Sequence, residues 1–448
     1  MKCGTKYRLQ ITNKDRICKK HLLNDIDAFI YKVAIKYSLP LEAFDEWRVR
    51  IVGCLRGCDC NCDYNITYND IKNDIKEIQE NFIITYTDKA SSNFAIICRY
   101  YYYTILQSYI DDRTKYKECN FQLKEIENKI IAKYKRIGYC IRKISFPYVF
   151  LTPKFHKDPV KFRLITSGFK TYIVKAGKML KDILQRKINE LNDTAIINNS
   201  TDVINYARDK NIYKIYTYDF EDLFNNIDID DMIICLKDIY EPYNLARVID
   251  REKFNYLIDL VLKENYVLID NKLYQQTSGL PQGGPGSNCL ANLYLHIYEN
   301  RRDSVVNSHI LRYIDDVLLV CLNVNYIPDL NFYPKYLKLN LTNLTYVKAQ
   351  FLDLELNIVD NKLNFNIYDK RDDYKFDIIK IQYWDSNLHV SVFRNIVLNY
   401  LHRCNNLISD KIDRETAIEK FFRMTLNYLY PLDFTIKILN NFSYKAST

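Results

Sequence analysis

The stretch ILRYIDDVLLVCL, residues 310–322, places Asp315 and Asp316 between two apolar runs. Two apolar runs joined by a short polar segment are typical of a β-hairpin, and aspartate is a common turn residue. The pattern therefore predicts two adjacent carboxylates at a strand turn. A single pattern of this kind more often marks a solvated loop than a functional site, so its meaning depends on the neighbouring segments.

Two upstream segments accompany this turn. YDFEDLF, residues 218–224, continues the strand-like run IYTY and predicts a strand that ends at Asp219. GLPQGGPGS, residues 279–287, predicts a turn followed by a helix that Ser287 can cap, because apolar residues recur at helical spacing after it. A strand-terminating aspartate and a Gly-Pro turn are each common alone. Their order along the chain is what makes a shared site plausible.

Length and composition indicate a globular, intracellular protein. The chain has 448 residues, of which 48% are apolar, enough for one large multi-lobed enzyme or two to three domains. We find no apolar run of membrane-spanning length and no signal-peptide pattern at the N-terminus. The 13 cysteines are an odd number and suit free thiols in a reducing compartment. We therefore expect no structural disulfides, and a nuclear location if the host is eukaryotic.

One group of cysteines, Cys54, Cys58, Cys60 and Cys62, is dense enough to raise the question of zinc. Its spacing lacks paired C-x-x-C knuckles, and no histidine is nearby. The interpretation we favour is a cysteine-rich loop, and a zinc site stays open as the alternative.

Positive charge is concentrated in the basic segment, residues 113–187. This segment has 20 Lys and Arg against 5 Asp and Glu, which leaves a net −6 on the rest of a chain whose total is +9. Such charge can simply solvate a helix face. Here aromatic residues are interleaved with the cations, a mixture that suits phosphates and stacked bases, so nucleic acid is the favoured partner.

The order and content of these segments resemble those of reverse transcriptases, over roughly residues 82–440. That family has an aspartate-bearing first motif, a Gly-Leu-Pro-Gln-Gly second motif and a Tyr-x-Asp-Asp third motif. PKFHK at 153–157 with FRLI at 162–165, and TDKA at 87–90 followed by Asn93, are similar to the fingers of Penelope-like retroelement enzymes, which are relatives of telomerase. YDKRDDY at 368–374 resembles a string found in Penelope-like and related eukaryotic elements. Penelope-like elements often carry a GIY-YIG endonuclease after the thumb, and we expect none in this chain.

The resemblance implies an α+β fold, a right-hand polymerase with fingers, a palm built on an antiparallel sheet, and a thumb. We expect a helical N-terminal extension at 1–81, fingers at 82–213, a palm at 214–360, and a connection with a helical thumb at 361–448. Within these ranges the apolar spacing predicts a hairpin at 82–97, a helix at 118–136, extended chain around 148–151 and helices at 396–440.

The resemblance also implies the site residues and the cofactor. Two Mg²⁺ ions, for which Mn²⁺ can substitute, would be held by Asp219, Asp315, Asp316 and the Phe220 carbonyl, since hard cations prefer oxygen ligands. The deoxynucleotide would contact Lys89, Arg163, Gln282 and Gly283, with Phe224 excluding a ribose 2′-hydroxyl. Template, primer or their duplex would contact Lys154, Lys157, Tyr313, Phe351 and Leu352.

The expected activity is RNA-directed DNA polymerisation on a primer 3′-hydroxyl, with an RNA template and a DNA primer as partners and no membrane. Two alternatives remain open at this point. One is a polymerase that prefers DNA templates or adds nucleotides without a template. The other is a domesticated nucleic-acid-binding protein without essential catalysis.

Overall fold

The computed structural model describes residues 80–442, except 120–122, 192–193, 271, 301–307 and 327, together with a few isolated positions before residue 80. The helical extension predicted at 1–81 lies almost wholly outside the described residues, as does the cysteine cluster at 54–62. The cysteines from Cys98 onward are free thiols.

The described strands form four sheets. A two-stranded hairpin has the order β1-β2, a four-stranded sheet β11-β6-β10-β9, a three-stranded sheet β12-β13-β14 and a five-stranded sheet β3-β8-β7-β4-β5. Their bounds are β1 Phe82–Thr87, β2 Ala90–Cys98, β3 Tyr116–Glu118, β4 Tyr148–Lys154, β5 Lys161–Ser167, β6 Lys214–Phe220, β7 Tyr266–Ile269, β8 Lys272–Gln276, β9 Ser308–Tyr313, β10 Asp316–Cys321, β11 Leu339–Leu341, β12 Lys348–Phe351, β13 Leu354–Val359 and β14 Lys362–Ile367.

Helices pack around these sheets. Their bounds are α1 Arg99–Ile110, α2 Leu123–Arg136, α3 Ile173–Glu190, α4 Ser200–Ala207, α5 Leu223–Asn226, α6 Ile229–Asp238, α7 Arg251–Ile258, α8 Ser287–Glu299, α9 Val390–Leu407, α10 Lys411–Asn427 and α11 Leu432–Asn440. Short 3₁₀ segments lie at Leu245–Arg247 and Lys370–Asp373, and a π-helical segment at Asp259–Lys263 extends α7. Within the described residues, no helix is both long and apolar enough to cross a bilayer.

The four-stranded sheet is buried on both faces, which explains why β10 is a continuous apolar run. Val317 and Leu319 face a large core built with α3, α6 and α8. Leu318 and Val320 face the opposite way, into a second core shared with the three-stranded sheet and α4. Alternate residues of a strand point to opposite faces, so both sets must be apolar here. Burying each such side chain stabilises the fold by about 1.5–3 kcal/mol.

Two further cores complete the described part of the chain. One joins β2 and α1 to the five-stranded sheet through side chains such as Ala95, Leu106 and Leu151. The other lies among the C-terminal helices α9, α10 and α11, around Phe393, Val397 and Phe421. The catalytic turn predicted at 313–316 therefore sits on a sheet that is fixed by packing on both sides.

Most local predictions agree with these elements, and two need correction. The hairpin at 82–97, the strand at 215–218, the extended chain around 148–151 and the C-terminal helices are confirmed. The helix predicted from residue 118 is wrong at its start, because Tyr116–Glu118 pairs with β8 as a strand. Ser287 is not the cap of α8. Gly286, with φ of +93°, takes that position, and the Ser287 hydroxyl donates to the Pro281 carbonyl at 2.8 Å.

Candidate active site

The centre of the candidate site is the pairing of β6 with β10. In this antiparallel register Asp219 lies directly opposite Asp316. The Phe220 N–H donates to the Asp315 carbonyl at 3.1 Å, which ties the turn to the end of β6. Ile314 forms the turn with φ of +58°. Residues almost one hundred positions apart in sequence are thus brought side by side on two rigid strands.

The carboxyl groups on these strands perturb one another. Burial, with the nearby charges of Asp315 and Asp316, raises the pKa of Asp219 to about 6. Burial also raises the pKa of Asp316, and the charge of Asp315 adds to this effect. Like charges held close in a partly desolvated place disfavour joint ionisation. The site is therefore an acidic cluster whose negative charge is only partly compensated.

Such a cluster has the donor chemistry that a hard divalent cation requires. Asp219 and Asp316 offer carboxylate oxygens from adjacent strands, and a cation would relieve their repulsion. Across the described part of the chain, no three His, Cys, Asp or Glu side chains already stand as a metal-binding group. The residues fit Mg²⁺ in kind, while the full three-carboxylate set is not preassembled.

The Gly-rich loop after β8 approaches β5 closely. The Thr166 N–H donates to the Gln282 carbonyl at 2.8 Å. Gly283 has φ of +98°, and a Cβ at this position would lie 2.9 Å from the Thr166 carbonyl oxygen. Glycine is required there both for its positive φ and for the close approach. The Gln282 side chain is half-buried and the Gly283 backbone is exposed.

Phe224 lies on the short helix α5, directly after β6. Its side chain is 8% exposed and belongs to the large core. Its carbonyl accepts a hydrogen bond from the Leu280 N–H at 2.6 Å, which connects it to the Gly-rich loop. Both features of the position, core packing and closeness to the loop, are compatible with the steric role that the sequence predicts.

The four predicted cations of the fingers lie in different environments. Lys89 is exposed at the β1–β2 turn with φ of +61°, and its charge opposes the raised pKa of Asp316. Lys157 is also exposed, and its charge opposes the raised pKa of Asp219. Burial and the nearby Arg163 lower the pKa of Lys154, against the charges of Asp222, Asp88 and Asp219. The charges of Lys89, Lys154 and Lys157 therefore interact with those of the acidic cluster.

Arg163 is engaged within the protein. Its Nη1 lies 3.0 Å from Asp88 Oδ1, so the β1–β2 turn and β5 are joined by an ion pair. Its buried Nε has no hydrogen-bond partner among the described residues. Only one of the five guanidinium N–H donors is needed for the contact with Asp88, so the side chain keeps donors that a phosphate oxygen could accept from.

The predicted nucleic-acid contacts divide between surface and core. Tyr313 is 37% exposed beside the turn. Leu352 forms the tip of the β12–β13 hairpin with φ of +56°. The side chain of Phe351 is only 2% exposed and packs in the second core, so it anchors the β12–β13 hairpin to that core.

Lys370 is a residue that the sequence analysis missed. It begins the 3₁₀ segment after β14, and its charge is the strongest opposing influence on the raised pKa values of Asp219 and Asp316. It belongs to the segment YDKRDDY, residues 368–374, whose resemblance to Penelope-like elements was the one available signal. Because Lys370 is about 150 residues after Asp219, only the folded chain reveals their proximity.

Solved structures of three proteins are similar to this chain. The chain is similar to telomerase from Candida albicans in complex with a TWJ fragment of telomeric RNA, at 13% identity and a TM-score of 0.53, covering 94% of this chain and 81% of that one. It is also similar to apo telomerase from Candida tropicalis, at 12% identity and a TM-score of 0.49, covering 84% and 72%. A third similarity is to the sicinivirus 3Dpol RNA-dependent RNA polymerase, at 12% identity and a TM-score of 0.44, covering 73% and 74%.

At such low identity the first of these similarities establishes the fold alone, which is that of a right-hand polymerase. No curated protein matches the chain significantly. The family profile of reverse transcriptases, RNA-dependent DNA polymerases, matches residues 153–376. That match spans half of the chain and includes Asp219, the Gly-rich loop and the turn at 313–316. The chain therefore belongs to the reverse transcriptase family and is a nucleotidyltransferase, an RNA-directed DNA polymerase.

Proposed function

We propose that this chain is a Penelope-like reverse transcriptase that copies an RNA template by adding deoxynucleotides to a DNA primer 3′-hydroxyl. The observation that carries the proposal is the register that sets Asp219 opposite Asp316. In this proposal Asp219, Asp315, Asp316 and the Phe220 carbonyl hold two Mg²⁺ ions. When bound, such ions stabilise the attacking and the leaving oxygens of a nucleotidyl transfer.

The chain's own residues position the reacting groups and provide positive charge around them. Two paired strands hold the carboxylates on rigid backbone, and the Gly-rich loop lets the backbone approach the new base pair at Gly283. Lys89, Lys154, Lys157 and Lys370 surround the acidic cluster with positive charge, which suits a triphosphate drawn to the same place. In this proposal the exposed Tyr313 and the partly buried Leu352 contact the primer end near the turn.

The Penelope-like assignment is supported by contacts between the segments that suggested it. TDKA at 87–90 and FRLI at 162–165 meet through the Asp88–Arg163 ion pair. The segment at 368–374 reaches the same place, because the Tyr374 hydroxyl donates to the Asp88 carbonyl. Three segments distant in sequence therefore form one structural unit beside the acidic cluster.

Primer extension tests the proposal. One primer is annealed to RNA and DNA templates of identical sequence, and dNTPs or rNTPs are supplied with Mg²⁺, with Mn²⁺ or with a chelator. We expect extension with dNTPs on the RNA template that stops when the divalent ion is removed. A chain that works only on DNA templates, or adds nucleotides without a template, contradicts the proposed specificity. A chain that binds the duplex but extends no primer contradicts catalysis itself.

A further inference from the structure

Arg312 is a fully buried cation directly behind the catalytic turn. It lies on β9, one residue before Tyr313, and its exposed fraction is 0%. An ionised side chain in the interior is costly unless its donors find partners. The guanidinium donates five hydrogen bonds, and they connect it to three parts of the structure: Glu299 and Asn292, both on helix α8, and the turn at Ile314.

Two of these parts belong to helix α8. Arg312 Nε donates to Glu299 Oε1 at 2.5 Å and Nη2 donates to Glu299 Oε2 at 3.2 Å, a bidentate pairing. Nη1 donates to Asn292 Oδ1 at 2.8 Å and Nη2 to the Asn292 carbonyl at 3.0 Å. The Tyr333 hydroxyl donates to Glu299 Oε1 at 2.7 Å and so holds the carboxylate in place. The guanidinium is therefore fixed relative to α8.

The fifth bond reaches the turn itself. Arg312 Nη1 donates to the Ile314 carbonyl at 3.2 Å. Ile314 is β-branched and has φ of +58°, a conformation that such residues rarely adopt and that persists only when neighbouring groups hold it. The carbonyl that Arg312 contacts belongs to the peptide unit leading into Asp315. Arg312 thus acts on the backbone from which Asp315 and Asp316 project.

We propose that Arg312 is a positioning residue for nucleotidyl transfer, an inference that rests on the proposed function. Its guanidinium locks the strained turn at Ile314 to helix α8, which starts immediately after the Gly-rich loop at 279–286. One buried cation therefore fixes the position of Asp315 and Asp316 relative to the loop that receives the nucleotide. A role in stability alone does not require this arrangement, because apolar replacements of buried ion pairs are often neutral or stabilising.

Two variants separate positioning from stability. Arg312→Lys keeps the charge beside Glu299, but a single ammonium lacks the planar fork that reaches Glu299, Asn292 and Ile314 together. The double variant Arg312→Leu/Glu299→Leu removes both charges, so no unpaired ion is left buried. Glu264→Gln is the matched control, since Glu264 is a buried carboxylate whose ion-pair partners, Lys129 and Lys133, lie on α2.

Steady-state kinetics and hydrogen exchange are measured on these three variants and the wild type, below their unfolding temperatures. We expect kcat to fall about 10- to 100-fold in both Arg312 variants with little change in the dNTP KM, because small misplacements of reacting groups are costly. The Phe220 amide, which donates to the Asp315 carbonyl, should exchange at least about tenfold faster. Glu264→Gln should lower thermal stability and leave kcat and this exchange rate unchanged.

Either folded Arg312 variant with wild-type kcat and wild-type exchange at Phe220 overturns the inference. An equal loss of kcat in Glu264→Gln also overturns it, because general destabilisation would then explain the effect. If the wild-type chain extends no primer, the proposed function fails, and the exchange rate at Phe220 still decides whether Arg312 holds the turn.

Discussion

At the scale of single residues, the site is governed by carboxylates that are close together and only partly solvated. The pKa of Asp219 rises to about 6 because burial and the charges of Asp315 and Asp316 act in the same direction. Lys370 and Lys157 oppose that rise without cancelling it. A cation bound between Asp219 and Asp316 would remove the repulsion, so binding of a divalent ion should stabilise the folded chain.

Phe224 gives a prediction about sugar selection. Phe224→Ala should relax discrimination against rNTPs, because the truncated side chain no longer fills the space beside a 2′-hydroxyl. The same change should reduce the free energy of unfolding by about 3–5 kcal/mol, since the ring is buried in the core. The ratio of kcat/KM for dNTP and rNTP, measured well below the unfolding temperature, checks the first effect.

Phe254→Ala is the control for this prediction. Phe254 is fully buried in the same core but lies on α7, away from the Gly-rich loop. It should lose comparable stability and keep the wild-type preference for dNTPs. An unchanged preference in Phe224→Ala would leave Phe224 as a core residue only.

Individual site residues were predictable to different degrees. Asp219, Asp315 and Asp316 follow from a strand end and a hairpin turn, which are local patterns. The Asp88–Arg163 ion pair and the approach of Lys370 to the acids depend on contacts across more than 50 residues, which no local pattern encodes. The burial of Phe351 could not be predicted from the sequence either, because an aromatic residue before a turn can face either the core or a ligand.

At the scale of secondary structure elements, strands were easier to predict than their ends. The run VLLVC of β10 is apolar throughout because both faces of the sheet are covered, and this pattern is visible in the sequence. The start of α8 was placed at the wrong cap because Gly and Ser both favour helix starts. The positive φ of Gly286 and the hydrogen bond from the Ser287 hydroxyl to the Pro281 carbonyl identify Gly286 as the cap, and both are visible only in the structure.

The junction of α2 with β7 gives a prediction about pH. Glu264 Oε1 lies 2.7 Å from Lys133 Nζ and 2.9 Å from Lys129 Nζ, with the carboxylate almost completely buried. Burial alone would raise the pKa of Glu264, but the hydrogen bonds and charges of the two lysines hold it below its ordinary value. A depressed pKa stabilises the fold fully above the unfolded-state pKa, about 4.3, and this contribution is lost as pH falls below it.

Glu264→Gln should therefore lower the free energy of unfolding by about 3 kcal/mol at pH 7, and the difference from wild type should shrink below pH about 4.3. Denaturant titrations at several pH values measure this. Glu118→Gln is the control, because Glu118 and Lys272 form an exposed pair, for which at most about 1 kcal/mol is expected. A Glu264→Gln difference that grows on acidification would contradict the assigned direction.

At the scale of the whole molecule, residues 374–380, here called the connecting segment, join the hairpin β1–β2 to the C-terminal helices. The Asn93 side chain donates to the Ile379 carbonyl at 3.2 Å and accepts from the Ile379 N–H at 2.8 Å. On the other side the Tyr428 hydroxyl of the α10 end accepts from the Lys380 N–H at 2.8 Å. The hairpin β1–β2 and the helices around α10 are therefore linked through a few hydrogen bonds.

Loss of this link should affect how long the enzyme holds its duplex. Asn93→Ala removes both bonds to Ile379, so we expect shorter products per binding event, by about two- to fivefold, with little change in single-nucleotide addition. A primer-extension assay with a trap for released enzyme measures product length. Asn189→Ala, on an exposed helix face where the Asn189 side chain accepts a hydrogen bond from Gln185, should behave like wild type. Equal product lengths for both variants would remove the connecting segment from this role.

The distribution of charge leads to a prediction about salt. If the basic segment at 113–187 neutralises several phosphates, duplex affinity should fall steeply and linearly on a plot of log affinity against log salt. Part of this charge is already used internally, since Lys133 pairs with Glu264 and Lys187 with Glu190. The slope should therefore be clearly negative yet smaller than the count of cations suggests. Binding that is insensitive to salt would mean that the segment faces solvent only.

The sequence could predict the right-hand architecture as a whole because its three motifs occur in a distinctive order. The domain limits remain predictions, and the extension at 1–81 lies almost wholly outside the described residues. The sequence could not predict which distant segments contact one another. Residues 87–90, 162–165 and 374–380 meet at Asp88 in the structure. Such contacts depend on long-range packing, whereas each motif depends on local pattern.

The most direct test of the account measures single-nucleotide incorporation on an RNA template by wild type, Asp219→Asn, Asp316→Asn and Glu221→Gln. Glu221 is an exposed acid two residues from Asp219 and serves as the matched control. We predict that each Asp variant binds the duplex as wild type does and loses at least about 10²-fold in kcat, while Glu221→Gln stays within about threefold of wild type. Wild-type turnover by Asp219→Asn or Asp316→Asn would contradict the claim that these two carboxylates, paired across β6 and β10, carry the chemistry.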